Sequence, residues 1–428
     1  MAFTTLPEWL AWQQTLHPSA IDLGLDRIRR TLERLGWRQP SCPVITIAGT
    51  NGKGSTVAFP SRILRAAGYR GRASPSPHVR RYNERIVIAG SEASDASLIA
   101  AFERIDAARG ADTLTFFEFN TIAALLIFET AGLDVIVLET GMGGRLDAVN
   151  VVDADVAIVT SIALDHCEWL GNDVESIGRE KAGIFRSGRP AVFGSTDMPA
   201  SIQSSADAVG ASLLRLGREY RYARGEGFWS WHGTRSALEH LPNPALAGDV
   251  QFDNASTVLT AIEAMAERLP VSRAAIEEGL RSVRITARFQ RIAGRNPWIL
   301  DVAHNPAAAR TLASQLAAYE HRGRLIAVCG MLGDKDIEGV ARELRDAFDL
   351  WIVAGLSGDR TVPPETTARR LSAGGVTVTE VAADVGAACS KAASIASDAD
   401  TVVVFGSFLT IAAAIEWLER SRIIGSHS

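Results

Sequence analysis

The sequence predicts an α/β protein built from two units, on three observations. A short β-branched run, Val44-Ile45-Thr46-Ile47-Ala48, leads straight into the glycine-rich stretch from Gly49 to Thr56, which reads as strand, phosphate loop and helix start. From Trp298 onward, apolar strands at 298–303, 324–330, 350–355, 376–381 and 401–406 alternate with helical patterns, as in a second α/β unit. The length, 428 residues, exceeds one ordinary core at about 150 residues per domain. The boundary falls near 283–288, giving domains 1–285 and 286–428.

The phosphate loop carries the most chemistry. Glycines turn the chain tightly and bring backbone N–H groups close to an anion, and Lys53 adds a positive charge for the outer phosphates. Ser55 or Thr56 offers a hydroxyl to magnesium. The spacing departs from G-x-x-x-x-G-K-[ST], because Gly54 follows the lysine. Downstream, Pro60 sits inside the expected helix, where it costs about 3 kcal/mol, so a kink or an irregular start is expected.

Taken in order, residues 25–36 read as an amphipathic helix closed by Gly36. Residues 71–90, with Ser74-Pro75-Ser76-Pro77-His78 and Asn83-Glu84-Arg85-Ile86, read as a long loop, either functional or a solvated charge cluster. Helical patterns cover 95–108 and 119–131, and the phenylalanines between them line a pocket or pack the core. Strands at 134–138 and 156–160 end on Glu139 and on the segment leading to His166. An α/β sheet places ligand-binding groups at such strand ends. The ends at Ala48, Leu138 and Thr160 should therefore converge on one edge, with a lysine, hydroxyls, an acid and a histidine for a nucleotide and its magnesium. Taken alone, His166 reads more readily as structural, and Lys181 reads as a solvated cation at a helix end stopped by Gly183. Residues 211–240, rich in aromatics, suggest a small antiparallel sheet; 248–268 and 272–281 suggest helices.

Composition bounds the partners. With 47% hydrophobic and 22% charged residues and a formal net charge of −5, the chain is of the soluble globular kind and is no general nucleic-acid binder. Cys42, Cys167, Cys329 and Cys389 form no metal-type pair and fit a reducing cytoplasm as buried small hydrophobes. Neither a secretory signal nor a membrane span is expected; Glu129, Gly132 and Asp134 interrupt the most apolar stretch.

Together the motifs resemble the folylpolyglutamate synthase and dihydrofolate synthase group of the Mur-ligase superfamily. They are GTNGKGST at 49–56, SPH at 76–78, NERI at 83–86, ETGMGGRLD at 139–147, TSIALDH at 160–166, EKAGIF at 180–185, LDVAHNP at 300–306, DKD at 334–336 and GSFLT at 406–410. The resemblance runs over nearly the whole chain. It implies a P-loop central domain of the Mur-ligase type with a small antiparallel sheet, followed by a Rossmann-like C-terminal domain. It also implies an ATP-dependent amide ligase, expected to be a cytoplasmic monomer. Such an enzyme adds L-glutamate to dihydropteroate and to reduced folates through an acyl phosphate.

By matching motif, the resemblance puts ATP phosphates on Gly52, Lys53, Gly54 and Ser55, and other nucleotide contacts on Asn254, Arg288 and Asp301. Magnesium falls to Ser76, Glu139 and His166, a second ion being helped by Lys181 carried as a carbamate. Lys53, Lys181 and His166 form the catalytic set. The pterin side maps to Ile21, Asp22 and Leu23, to Thr115, Phe116, Phe117 and Glu118, and to Leu146, Asp147 and Ala148. Ser74-Pro75, Val250 and Thr286-Ala287 depart from the family's pattern. The alternatives are a folylpolyglutamate synthase alone, another Mur-type amino-acid ligase, or a non-catalytic nucleotide-binding protein.

Overall fold

Every residue of the strand Val44–Ala48 is buried, because parallel neighbours flank it on both sides, Val135–Glu139 and Val156–Val159. A β-branched run suits such a place, since both faces of a central strand are covered. The computed structural model describes residues 3–74, 80–358 and 360–425. It divides into two compact units, Met1–Ala245 with Gln251–Val283, and Leu246–Val250 with Arg284–Ser428.

Among the described residues, the main sheet of the first unit has eight strands, in the order Ser91–Glu92, Val87–Ile88, Gly71–Ser74, Val135–Glu139, Val44–Ala48, Val156–Val159, Pro190–Phe193, Ser212–Arg215. The first two form an antiparallel edge and the others run parallel. Part of the 211–240 segment thus joins the parallel sheet instead of the small one. Only Arg221–Arg224, Phe228–His232 and Ala237–Pro242 make the three-stranded antiparallel sheet.

One core of this unit gathers around the helix Phe116–Thr130, which begins three residues earlier than the expected 119 because Thr115 caps it. Phe119 meets Phe102 of the helix Asp95–Arg109 at 5.5 Å and Trp12 of the helix Leu6–Leu16 at 5.9 Å, both edge-on. The helix Lys53–Ala66 runs through Pro60 without interruption, in place of the expected irregular start. Tight packing holds it: a Cβ on Gly279 of the helix Arg273–Ser282 would lie 2.4 Å from Ile63 Cγ1, so the two helices touch closely.

In the second unit, the described strands run Gln290–Ile292, Trp298–Leu300, Thr401–Phe405, Leu325–Cys329, Leu350–Ala354, Glu380–Ala382. All neighbours are parallel except the first pair. The short antiparallel strand Gln290–Ile292 was not foreseen, and the strand expected at 376–381 lies instead at Glu380–Ala382. Val376 is buried in the core, and the ladder to the neighbouring strand starts at Ile352 opposite Glu380. Cys329 and Cys389 are buried, whereas Cys42 and Cys167 are partly exposed. Among the described residues no helix is long and apolar enough to cross a membrane.

Candidate active site

The turn after Val44–Ala48 is shaped by two glycines at positive φ, where any other residue would be strained. Gly49 has φ +148°, and a Cβ there would lie 1.8 Å from Thr160 Oγ1; Gly52 has φ +86°, and its Cβ would lie 2.8 Å from Asn254 Oδ1. Hydrogen bonds pin the turn to the neighbouring strand end: Thr50 N donates to the Ser161 carbonyl at 2.8 Å, and Thr160 Oγ1 donates to the Asn51 carbonyl at 2.6 Å. Gly52 then opens the helix Lys53–Ala66, so Lys53, Gly54 and Ser55 form its first turn. The backbone N–H groups and the positive end of the helix dipole at this turn suit a phosphate.

Asn254, in the helix Val250–Ala264, is buried against this turn. Its Oδ1 accepts from Thr56 Oγ1 at 3.3 Å and its Nδ2 donates to Gln251 Oε1 at 3.1 Å. Gln251 was missed, because a polar residue in the first turn of an alanine-rich helix carries no signal of its own.

Neighbouring strand ends bring the remaining groups to this edge. Glu139 lies beside Ile47 in the ladder and is buried. His166 follows Thr160 on a backbone with φ +53°, a costly conformation for a non-glycine residue. Asp165, not singled out from the sequence, helps hold that turn: its Oδ1 accepts from His166 N at 2.9 Å, and its Oδ2 lies 3.8 Å from His166 Nε2. The adjacency of acid and histidine was a usable signal.

Lys181 overturns its reading as a solvated cation. It is 4% exposed, and its Nζ donates to the Gly49 carbonyl at 2.9 Å. Gly144 allows this, since a Cβ there would come within 2.7 Å of the Lys181 carbonyl oxygen. Lys53 Nζ donates to the same Gly49 oxygen at 2.9 Å and to the Thr50 carbonyl at 3.2 Å. Burial, and then the Lys53 charge, push the Lys181 ammonium down to about 7, against the pull of Asp165 and Asp147.

Among the described residues no group of three or more His, Cys, Asp or Glu side chains is gathered as a metal cluster. Ser76 lies outside the described residues. Magnesium ordinarily takes one or two carboxylates together with phosphate and water oxygens, so a buried Glu139 beside a phosphate loop fits that ion without a preformed cage.

The residues expected on the pterin side also lie in the first unit. Thr115 and Glu118 close a capping box: Glu118 N donates to Thr115 Oγ1 at 3.2 Å, and Thr115 N to Glu118 Oε2 at 2.8 Å. Glu118 also meets Arg27, which in turn holds Asp22. Ile21, Asp22 and Leu23 are part-exposed and form no regular element, and Phe116 and Leu146 are part-exposed as well. Asp147 and Ala148 are buried. Asp147 accepts from Met142 N at 2.9 Å and Val149 N at 3.0 Å, and burial outweighs these bonds to push its carboxyl up to about 6. Phe117 lies over Gly141, where a Cβ would be 2.7 Å from its ring, and it shares with Glu139, Arg85 and Asn120 the wall of a cavity of about 20 Å³.

Arg288 and Asp301 lie in the second unit. The Arg288 guanidinium sits 5.5 Å from the centre of the Phe408 ring. Asp301 is held by Phe289 N and Ala303 N, both at 2.8 Å, and burial raises its carboxyl above the usual range. Ala287 has φ +62°, an uncommon conformation for a residue other than glycine.

Known proteins supply the context for this geometry. Residues 47–218 match the Mur ligase middle domain, and residues 287–408 match the Mur ligase, glutamate ligase domain. The dihydrofolate synthase/folylpolyglutamate synthase of Escherichia coli K12 is 44% identical over 421 residues, covering 98% of this chain and 97% of its own. The structure of E. coli FolC in complex with DHPP and ADP superposes with a TM-score of 0.93 at 44% identity, covering 99% of each chain. A bifunctional folylpolyglutamate synthase/dihydrofolate synthase with Mn, AMPPNP and L-glutamate bound superposes with a TM-score of 0.90 at 42% identity, covering 98% of this chain and 99% of the other. With nearly full-length similarity of this order, the chain belongs to the dihydrofolate synthase/folylpolyglutamate synthase family of ATP-dependent Mur ligases.

Proposed function

We propose that the protein is a cytoplasmic, monomeric ligase that uses ATP to join L-glutamate to dihydropteroate, giving dihydrofolate, and to reduced folates, giving polyglutamates. The observation that carries this reading is the meeting of the phosphate loop, Glu139, His166 and Lys181 at one edge of a parallel sheet, in a chain whose relatives are bound to ADP, AMPPNP, DHPP, Mn and L-glutamate. Residues 1–285 act as the ATP-binding domain and 286–428 as the glutamate-ligase domain.

A carboxylate is a poor electrophile, so the acceptor is first phosphorylated: its oxygen attacks the γ-phosphorus of ATP and ADP leaves. The glutamate amine then attacks the acyl carbon, forming the amide and releasing phosphate. Gly52, Lys53, Gly54 and Ser55 hold the phosphates, and Asn254 makes a further nucleotide contact from the helix Val250–Ala264. Glu139 and His166, with Ser76, are assigned as magnesium ligands. The bound ion neutralises charge on the transferring phosphoryl group.

Lys181 is read as a carbamate. Its amine, brought to about 7, is substantially neutral near neutral pH and so able to add to CO2, giving the N-carboxylate and releasing a proton. The carbamate would keep an N–H for the Gly49 carbonyl and would offer an anionic oxygen to a second ion. Glutamate-dependent phosphate release by the purified protein, run in parallel with dihydropteroate and with a reduced folate monoglutamate, tests the function. Activity is expected with both, and activity with one alone overturns the bifunctional reading.

A further inference from the structure

Arg27 ties together two segments of the acceptor side. Its Nη1 donates to Asp22 Oδ2 and its Nη2 to the Asp22 carbonyl, both at 2.7 Å. On the other side, its Nε donates to Glu118 Oε2 at 3.3 Å and its Nη2 lies 3.2 Å from Glu118 Oε1. His17 Nε2 approaches the same Asp22 oxygen at 3.4 Å. Asp22 belongs to a stretch without regular secondary structure, so neither a ladder nor a helix fixes it. Glu118 is the opposite case: it is 3% exposed and locked to Thr115 in the first turn of the helix that carries Phe117.

The planar guanidinium fork thus links a rigid helix start to the irregular segment that carries Asp22, with Arg27 and Glu118 91 residues apart in the chain. Stability alone does not explain the arrangement. A partly exposed ion pair such as Arg27 with Asp22 contributes little to stability, so the arrangement is better understood as holding a geometry.

Building on the acceptor-pocket assignment above, we propose that Arg27 is a positioning residue that sets the spacing between Asp22 and the Thr115–Phe117 segment. It thereby tunes the preference for dihydropteroate over reduced folates. Arg27→Lys keeps the charge but loses the fork. The expected result is a KM for dihydropteroate raised about tenfold with kcat within about twofold, the mark of lost uniform binding. The KM values for ATP and glutamate should not move, and that for a reduced folate should change less than that for dihydropteroate.

Arg27→Gln removes the guanidinium fork while leaving Glu118 and its cap in place, and its thermal midpoint reports whether it folds. It should show the same selective rise. A purely structural role predicts an unchanged KM in that folded variant, and such a result overturns the inference. Parallel rises in the KM values for ATP and both acceptors overturn it as well. Phe117→Ala separates the two levels: a raised dihydropteroate KM there beside an unchanged one in both Arg27 variants defeats the positioning role alone. Unchanged values in all three defeat the acceptor-pocket assignment and the inference with it.

Discussion

Lys53 and Lys181 donate to one oxygen: the Gly49 carbonyl lies 2.9 Å from each Nζ. Two ammonium groups sharing one acceptor repel each other, and only one of them sits in the phosphate loop. The conflict is eased if Lys181 gives up its proton, and burial together with the Lys53 charge drives it that way. The same geometry leaves Lys53 as the charged partner at the start of the helix, where phosphate oxygens would be met.

If Lys181 acts through a carbamate, the group lost in Lys181→Ala is an anionic oxygen. The variant should lose most of its activity, and a short carboxylic acid such as acetate should restore part of it by occupying the vacated space. The check is phosphate release titrated with acetate at constant ionic strength. A lysine acting as a cation predicts rescue by small amines and none by acetate.

The depressed Lys181 ammonium also fixes a pH dependence for the free protein in bicarbonate-free, metal-free buffer. Between about 7 and its ordinary value of 10.5, the unfolded chain binds the proton that the folded chain has released, so stability rises with pH in that window. Lys181→Met lacks this contribution. Urea unfolding of the two proteins at pH 7 and pH 9 should show the wild type gaining relative to the variant, by at most about 1.4 kcal/mol per pH unit. A difference that stays flat or reverses contradicts the buried neutral amine.

The sequence revealed the strand ends because each announces itself locally: a β-branched run stops, and glycines or polar residues follow. Glu139 and the phosphate loop were legible for that reason. Lys181 was legible only through the family resemblance, because its burial depends on the backbone around Gly144 closing over it, and a sequence shows the glycine without showing its neighbour. Arg27 hid in the same way on the charged face of an amphipathic helix, where arginines are ordinarily solvated. The misplaced strand at Glu380–Ala382 has another cause. Val376 and Val378 have strand-like spacing, yet they pack into the core, and the edge ladder is set by the strand Leu350–Ala354.

One phosphorylation site serves two acceptors of different length. The reactive carboxylate of a reduced folate lies beyond an added glutamate, several ångströms further from the pterin ring than that of dihydropteroate. A misplacement of about 1 Å can cost about a hundredfold in rate, so one fixed pterin position cannot serve both. Phe117 and Asp147 are suited to the dihydropteroate position: the ring of Phe117 lies against Gly141 beside the Glu139 cavity, and Asp147 ties down Met142 and Val149 in the loop that follows. Phe117→Ala and Asp147→Ala should therefore damage the dihydropteroate reaction more than the folate reaction. Lys53→Ala and Glu139→Ala act on the shared phosphoryl transfer and should abolish both while leaving the fold intact. Parallel kcat/KM measurements with the two acceptors, with circular dichroism to confirm folding, decide the matter. Equal losses for both acceptors in the pocket variants would rule out two pterin positions, and a folded Lys53→Ala protein with near-normal turnover would remove that lysine from the phosphate site.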